Sequence, residues 1–213
     1  MHIADGVLSA PVLIGSFVVT ATITGITLKK IKPEDMPRVA LMTSAFFIAS
    51  LIHIPIGPTS VHLILNGLVG IILGPAAFVA ILVGLVLQAL LFEHGGITTI
   101  GANTVMMGLP ALLAYYIFRM HRLFNFRASA GIFGALAGAL AVFGGVVILA
   151  LLLVTTGSEF IGVAKVAALA HLPIMVIEAI IAAFVVSFLR KVKPEMLAVK
   201  QKPASPATDG LGV

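Results

Sequence analysis

The chain has 213 residues, of which 60% are apolar, 21 are glycine and only 10% are charged, whereas soluble domains carry roughly 45–50% apolar and about 25% charged residues. Thirteen Lys and Arg against eight Asp and Glu give a net charge of +5. That is too few charges to cover a water-soluble globule, which excludes a soluble enzyme or a nucleic-acid binder. At about 20 residues per span, the length holds six or seven membrane helices and leaves no room for a nucleotide-hydrolysing domain. Cysteine is absent, so any metal must be held by His, Asp, Glu, Met, amide or terminal nitrogen.

The opening Met1-His2-Ile3-Ala4-Asp5-Gly6 has no basic region and no Ala-x-Ala site of a secretory leader. Met1 is expected to be the retained start, protected from removal by the bulky His2. Apolar segments follow over about residues 7–28, 39–54, 61–73, 76–92, 104–118, 128–154 and 166–189. Pro55 and Pro58 close the second, Gly74-Pro75 stops the third, and a polar glycine-rich stretch over 93–103 separates the fourth from the fifth. The expectation is an all-α polytopic bundle of about seven spans. Residues 1–193 are expected to form one transmembrane domain, and 194–213, with its prolines, Ser, Thr and Gly, a flexible tail.

Basic residues set the orientation. Lys29, Lys30, Lys32 and Arg38 lie between spans one and two, and Arg119, Arg122 and Arg127 lie between five and six. Arg190, Lys191, Lys193, Lys200 and Lys202 follow span seven. Under strict alternation twelve of the thirteen share one side, with Lys165 opposite. This positive-inside bias predicts an outer N-terminus and a cytoplasmic C-terminus. The opening hexapeptide, the turn over 55–60 and the 93–103 stretch then all fall on the outer face.

Of six histidines, His121 sits among arginines and reads as a solvated interfacial residue, while His171, beside Pro173, reads as a packing residue. His2 differs. A terminal amine with a pKa near 8 yields its proton to a metal close to neutrality, so the Met1 amine, the His2 amide nitrogen and the His2 imidazole can close adjacent chelate rings. Ionised amide nitrogen suits square-planar Ni²⁺ or Cu²⁺. His62, opening a short span after Gly57-Pro58-Thr59-Ser60, is the candidate fourth donor, because an ionisable group at such depth is a functional signal. His53 and His94 are supporting or loop positions, and His94 could orient a ligand through its second nitrogen. Met106 and Met107 read as core. Glu178, in the middle of span seven, reads as a partner for a buried polar group or a contact signal. Gly134-x-x-x-Gly138 and Gly67, Gly70 and Gly74 give small faces for close helix packing.

Together these segments resemble the cobalt/nickel permease family, the substrate-capture components of energy-coupling factor transporters. The resemblance rests on Met1-His2-Ile3-Ala4-Asp5-Gly6, Gly57-Pro58-Thr59-Ser60-x-His62-Leu63, Leu73-Gly74-Pro75 and His94-Gly95-Gly96-Ile97-Thr98-x-x-Gly101-x-Asn103, in order over about residues 1–190. It implies seven helices and Ni²⁺ or Co²⁺ as substrate, held by the Met1 amine, the His2 amide and imidazole, and His62. It also implies an occluding loop over 93–103 that includes Asn103, with Asp5 fixing the N-terminal segment. The implied partners are a transmembrane coupling subunit, a small accessory membrane subunit and two cytoplasmic ATPase subunits. No nucleotide would bind this chain, which has no phosphate-binding loop. His53 stands where the family commonly has another residue. The planar nitrogen set and Asp5 favour nickel. The resemblance sets the chain in the cell's inner (plasma) membrane. A stand-alone divalent-metal channel or carrier is the alternative, whereas an intramembrane metalloenzyme lacks the His-Glu-x-x-His pattern it would need.

Overall fold

The computed structural model describes residues 1–124 and 126–197. Among them are seven α-helices: α1 (Ala10–Leu28), α2 (Met36–Ala49), α3 (Asn66–Leu73), α4 (Ala77–Phe92), α5 (Ile100–Arg119), α6 (Ser129–Thr156) and α7 (Ile161–Val192). A two-stranded antiparallel hairpin, β1 (His53–Ile56) and β2 (Thr59–His62), interrupts them between α2 and α3. Helices dominate because an apolar chain in lipid must satisfy its own backbone. Pro11 and Pro37 fall in the first turns of α1 and α2, where no N–H is needed.

Five runs are long and apolar enough to cross a membrane: Ala10–Leu28, Asn66–Phe92, Ile100–Leu123, Ser129–Thr156 and Ser158–Val192. The second expected span is shorter than that, and the third and fourth run together as Asn66–Phe92. The second stops at Ala49, and the third does not begin until Asn66, because residues between them form the hairpin rather than helix ends. Gly57 takes φ +54 at the turn, and Pro58 follows it, a pairing suited to a two-residue hairpin loop. Gly74 (φ +59) and Pro75 break α3 from α4, yet only a single 3₁₀ turn separates the two helices.

The run over 66–92 lies innermost, packed by α5, α6 and α2, while α1 and α7 present Ile14, Val18, Val176, Ile180 and Phe184 outward. Glycine sets how close the inner helices come. A Cβ on Gly70 would lie 2.0 Å from the Ala111 carbonyl of α5, and one on Gly138 would lie 2.8 Å from the Glu178 carbonyl of α7. Two expected positions differ. His121 is buried in a 3₁₀ turn with its ring stacked on Phe118, because its Nδ1 reaches the Phe118 carbonyl at 2.6 Å. Residues 194–197 of the expected tail form a turn that buries Leu197 and offers the Glu195 carbonyl to Arg38; residues 198–213 lie outside the described residues.

Candidate metal centre

The first five residues run into a cleft between the hairpin and the 93–103 loop. Ile3 bridges to Thr59, and the Ala4 N–H donates to the Pro58 carbonyl at 3.1 Å. On the other side Asn103 grips Ile3 twice, accepting from its N–H at 2.9 Å and donating to its carbonyl at 3.1 Å. Thr99 adds a bond to the same carbonyl at 2.9 Å. Asp5 accepts from the Ile97 and Thr98 N–H groups, at 3.1 and 3.0 Å, and from the Thr98 hydroxyl. Gly96 is required there, since a Cβ would sit 2.1 Å from an Asp5 oxygen. The clamp drives Met1 inward until its side chain reaches α6 at Gly145, where both Met1 and Ile3 are fully buried.

This placement brings the Met1 amine against His62 Nε2, and His2 Nδ1 lies 2.9 Å from the same His62 nitrogen. Hydrogen bonds elsewhere fix what each ring presents. His62 Nδ1 donates to the Leu63 carbonyl at 2.8 Å, which leaves Nε2 with a lone pair. The Ser50 hydroxyl donates to the Phe47 carbonyl at 2.8 Å and accepts from Gln88 Nε2. That orients the Gln88 amide so that Oε1 faces His2 Nε2 at 2.7 Å. His2 therefore donates from Nε2 and keeps its lone pair on Nδ1. Two lone pairs and an amine nitrogen converge on one point, an arrangement that repels itself unless a proton or cation lies among them.

The local chain is shaped to hold His62 there. Along β2, Ser60 and His62 point to one face by strand alternation, and His53 is the residue opposite His62 across the hairpin. Beyond β2 the chain turns through Leu65 in a left-handed conformation (φ 58) before α3 begins. Its exposed amides are taken by Glu178 of α7, whose Oε1 accepts from the N–H groups of Ile64 at 2.6 Å and Leu65 at 2.7 Å. His94 enters through the end of α4. Glu93 takes φ 52, and both its own N–H and that of His94 return to the Gln88 carbonyl, the latter at 3.2 Å, as at a left-handed helix stop. Gly95 (φ +89) lets the loop pass His2, which a Cβ would approach to 3.2 Å.

His2, His62 and His94 are all buried and each offers a nitrogen within 4.8 Å of the others. His53 is exposed and does not join them, but its ring stacks on His94. All of these groups lie outside the helices. Burial holds the Met1 amine well below its ordinary value, against the pull of the Glu178 carboxylate. Burial, then the neighbouring amine, holds both His2 and His62 well below theirs. His94 is pushed down to about 4 by burial, by His53 and by the amine. The three imidazoles are thus uncharged at neutral pH, and the amine is biased toward its neutral form, the form that ligates a metal. His171 lies apart in α7, bonded through Nδ1 to the Ala167 carbonyl at 2.7 Å.

Gln88, Ser50 and Thr99 were not singled out in the sequence, whereas Ser60 stands in the motif that ends on His62. Gln88 had a visible signal, as the sole polar side chain of α4; Ser50 and Thr99 had none.

The chain matches the family described as the cobalt uptake substrate-specific transmembrane region, CbiM, over residues 2–196. It is 36% identical over 207 residues to a protein of Haemophilus influenzae named for metal transport, covering 92% of this chain and 97% of that one. It is 30% identical over 208 residues to a protein of Archaeoglobus fulgidus named for fused nickel transport, NikMN, covering 95% of this chain and 70% of that one. The crystal structure of a transition metal transporter superposes with a TM-score of 0.70 at 27% identity, over 90% of this chain and 93% of the other. With five apolar runs of membrane-spanning length and a match over nearly its whole described length, the chain belongs to the cobalt and nickel transport membrane proteins of the CbiM family.

Proposed function

We propose that this chain is the metal-capturing membrane subunit of an energy-coupling factor transporter of the inner membrane, and that Ni²⁺ is its preferred substrate. The observation that carries the reading is the pair His2 Nδ1 and His62 Nε2, facing each other at 2.9 Å with the Met1 amine beside them. Nitrogens about 2.0 Å from a metal lie about 2.8 Å apart at a right angle and about 3.3 Å apart at a tetrahedral one. The spacing therefore supports a planar site made of the Met1 amine, the His2 amide and Nδ1, and His62 Nε2. A planar set with an ionised amide suits Ni²⁺ better than Co²⁺, which is the alternative substrate. Asp5 and Asn103 hold the N-terminal segment; His53 and His94 stand outside the four donors.

Twelve of the thirteen basic residues fall on one side of the alternating topology, and in the fold Arg190 bonds the Arg127 carbonyl and Arg38 bonds that of Glu195 at the end of α7. This supports a cytoplasmic face there, an outer N-terminus and seven spans in which α2 and α3 are the short members. Capture would be outside and the energy supplied inside, by a transmembrane coupling subunit, a small accessory subunit and two ATPases.

Competitive titration of the intact chain with Ni²⁺, Co²⁺, Cu²⁺ and Zn²⁺ tests the site. Binding is expected to be lost when one residue precedes Met1 and to be weakened in His62→Ala with the fold intact. Full affinity in either variant would remove that donor from the site, and tighter binding of Co²⁺ would reverse the metal preference. Metal flux through vesicles containing this chain alone would favour the stand-alone carrier.

A further inference from the structure

Four imidazoles lie in one continuous series. His94 stacks on exposed His53 with ring centroids 4.1 Å apart and lies against buried His2 at 4.0 Å with the rings tilted by 36°; His62 meets His94 edge-on at 5.6 Å. His53 and His62 are directly opposed in the hairpin, so both project from the same face. At the outer end exposed His53 donates from Nδ1 to the Leu51 carbonyl at 3.2 Å, which leaves the lone pair on Nε2. His94 is steadied by Ser60 Oγ, 3.2 Å from its Nε2.

We propose that His53 and His94 form an outer docking site for a divalent transition-metal cation, which passes from them by ligand exchange to His2 and His62. The proposal rests on the metal-capture reading above. Met1, His2 and His62 are almost wholly buried. A hydrated cation cannot reach them without shedding water, and a shed water ligand must be replaced at once. Imidazoles spaced one ring apart offer that replacement at each step. Stacking alone would be served by any aromatic ring, whereas the exposed ring at residue 53 carries a nitrogen free to ligate.

A residue on the path, but not in the final site, alters loading and unloading equally. In stopped-flow measurements of Ni²⁺ binding to the intact purified chain in detergent, His53→Ala is expected to slow association and dissociation by the same factor, about tenfold. The equilibrium affinity should be unchanged, which also reports an intact fold. His53→Phe keeps a stacked ring without a nitrogen and should behave as His53→Ala does. Wild-type rates in His53→Phe would assign the residue to packing and overturn the proposal. So would unchanged rates in His53→Ala, or weakened affinity with faster dissociation. Any of these would leave the buried site standing, whereas failure of the wild type to bind either Ni²⁺ or Co²⁺ would remove the site and the relay together.

Discussion

Gln88 holds His2 in one tautomer because its own amide is already committed. Its Nε2 donates to Ser50, whose hydroxyl is spent on the Phe47 carbonyl, so only Oε1 is left to face His2 Nε2 at 2.7 Å. The same residue takes the His94 N–H on its backbone carbonyl, and so one helix position sets both the ligand ring and the ring that lies against it. Groups that orient a ligating histidine are worth about 10–100-fold in metal affinity. Gln88→Leu should weaken Ni²⁺ binding by about that factor, while Gln88→Glu, which keeps an acceptor toward His2, should lose much less. Isothermal titration of both variants checks this. Equal losses would mean that the amide matters for packing and not for the tautomer.

At the scale of elements, α3 is short and irregular at its start, yet it carries the strand that holds His62. Its position is set by Glu178 from α7 and by close contact with α5, where Gly70 meets Ala111. A methyl group at residue 70 would lie 2.0 Å from a backbone oxygen, which side-chain motion cannot relieve. Gly70→Ala is therefore expected to destabilise the bundle by about 1–3 kcal/mol, read as a lower unfolding temperature in detergent; an unchanged temperature would show that α3 and α5 can separate. The positions of most helices were legible in the sequence, because lipid makes every long apolar run fold on itself. The hairpin was not. His53, Ile54 and Val61 continue apolar segments on either side, and it is their pairing with each other, with residues 1–5 docked against Thr59 and Pro58, that makes them strands. Met1, His2 and His62 stood out through local motifs. The partners of Glu178 and Gln88 did not, since they lie 114 and 86 residues away along the chain. No periodicity carries that information.

The whole molecule lowers the proton affinity of the Met1 amine. The hairpin, the 93–103 loop and the middle of α6 at Gly145 close over Met1, and burial holds the pKa of its amine well below the ordinary 8.0. The folded chain binds fewer protons there than the unfolded chain does, so the metal-free protein gains stability as pH rises through the unfolded value and loses it on acidification. The buried His2 and His62, and His94 at about 4 against an ordinary 6.5, act with the same sign at lower pH. Metal binding inherits the consequence. An amine with an ordinary pKa would surrender a proton on binding at pH 7, together with one from the His2 amide, so that close to two protons would leave per metal. An amine whose pKa burial lowers gives up less, and a fully neutral one leaves only the amide proton, about one in all. Calorimetric titration at pH 7 in buffers of differing ionisation enthalpy gives that number directly. Release of about one proton per Ni²⁺ is expected; two would mean that the fold leaves the amine protonated until metal arrives, and none would mean that the His2 amide is not a donor.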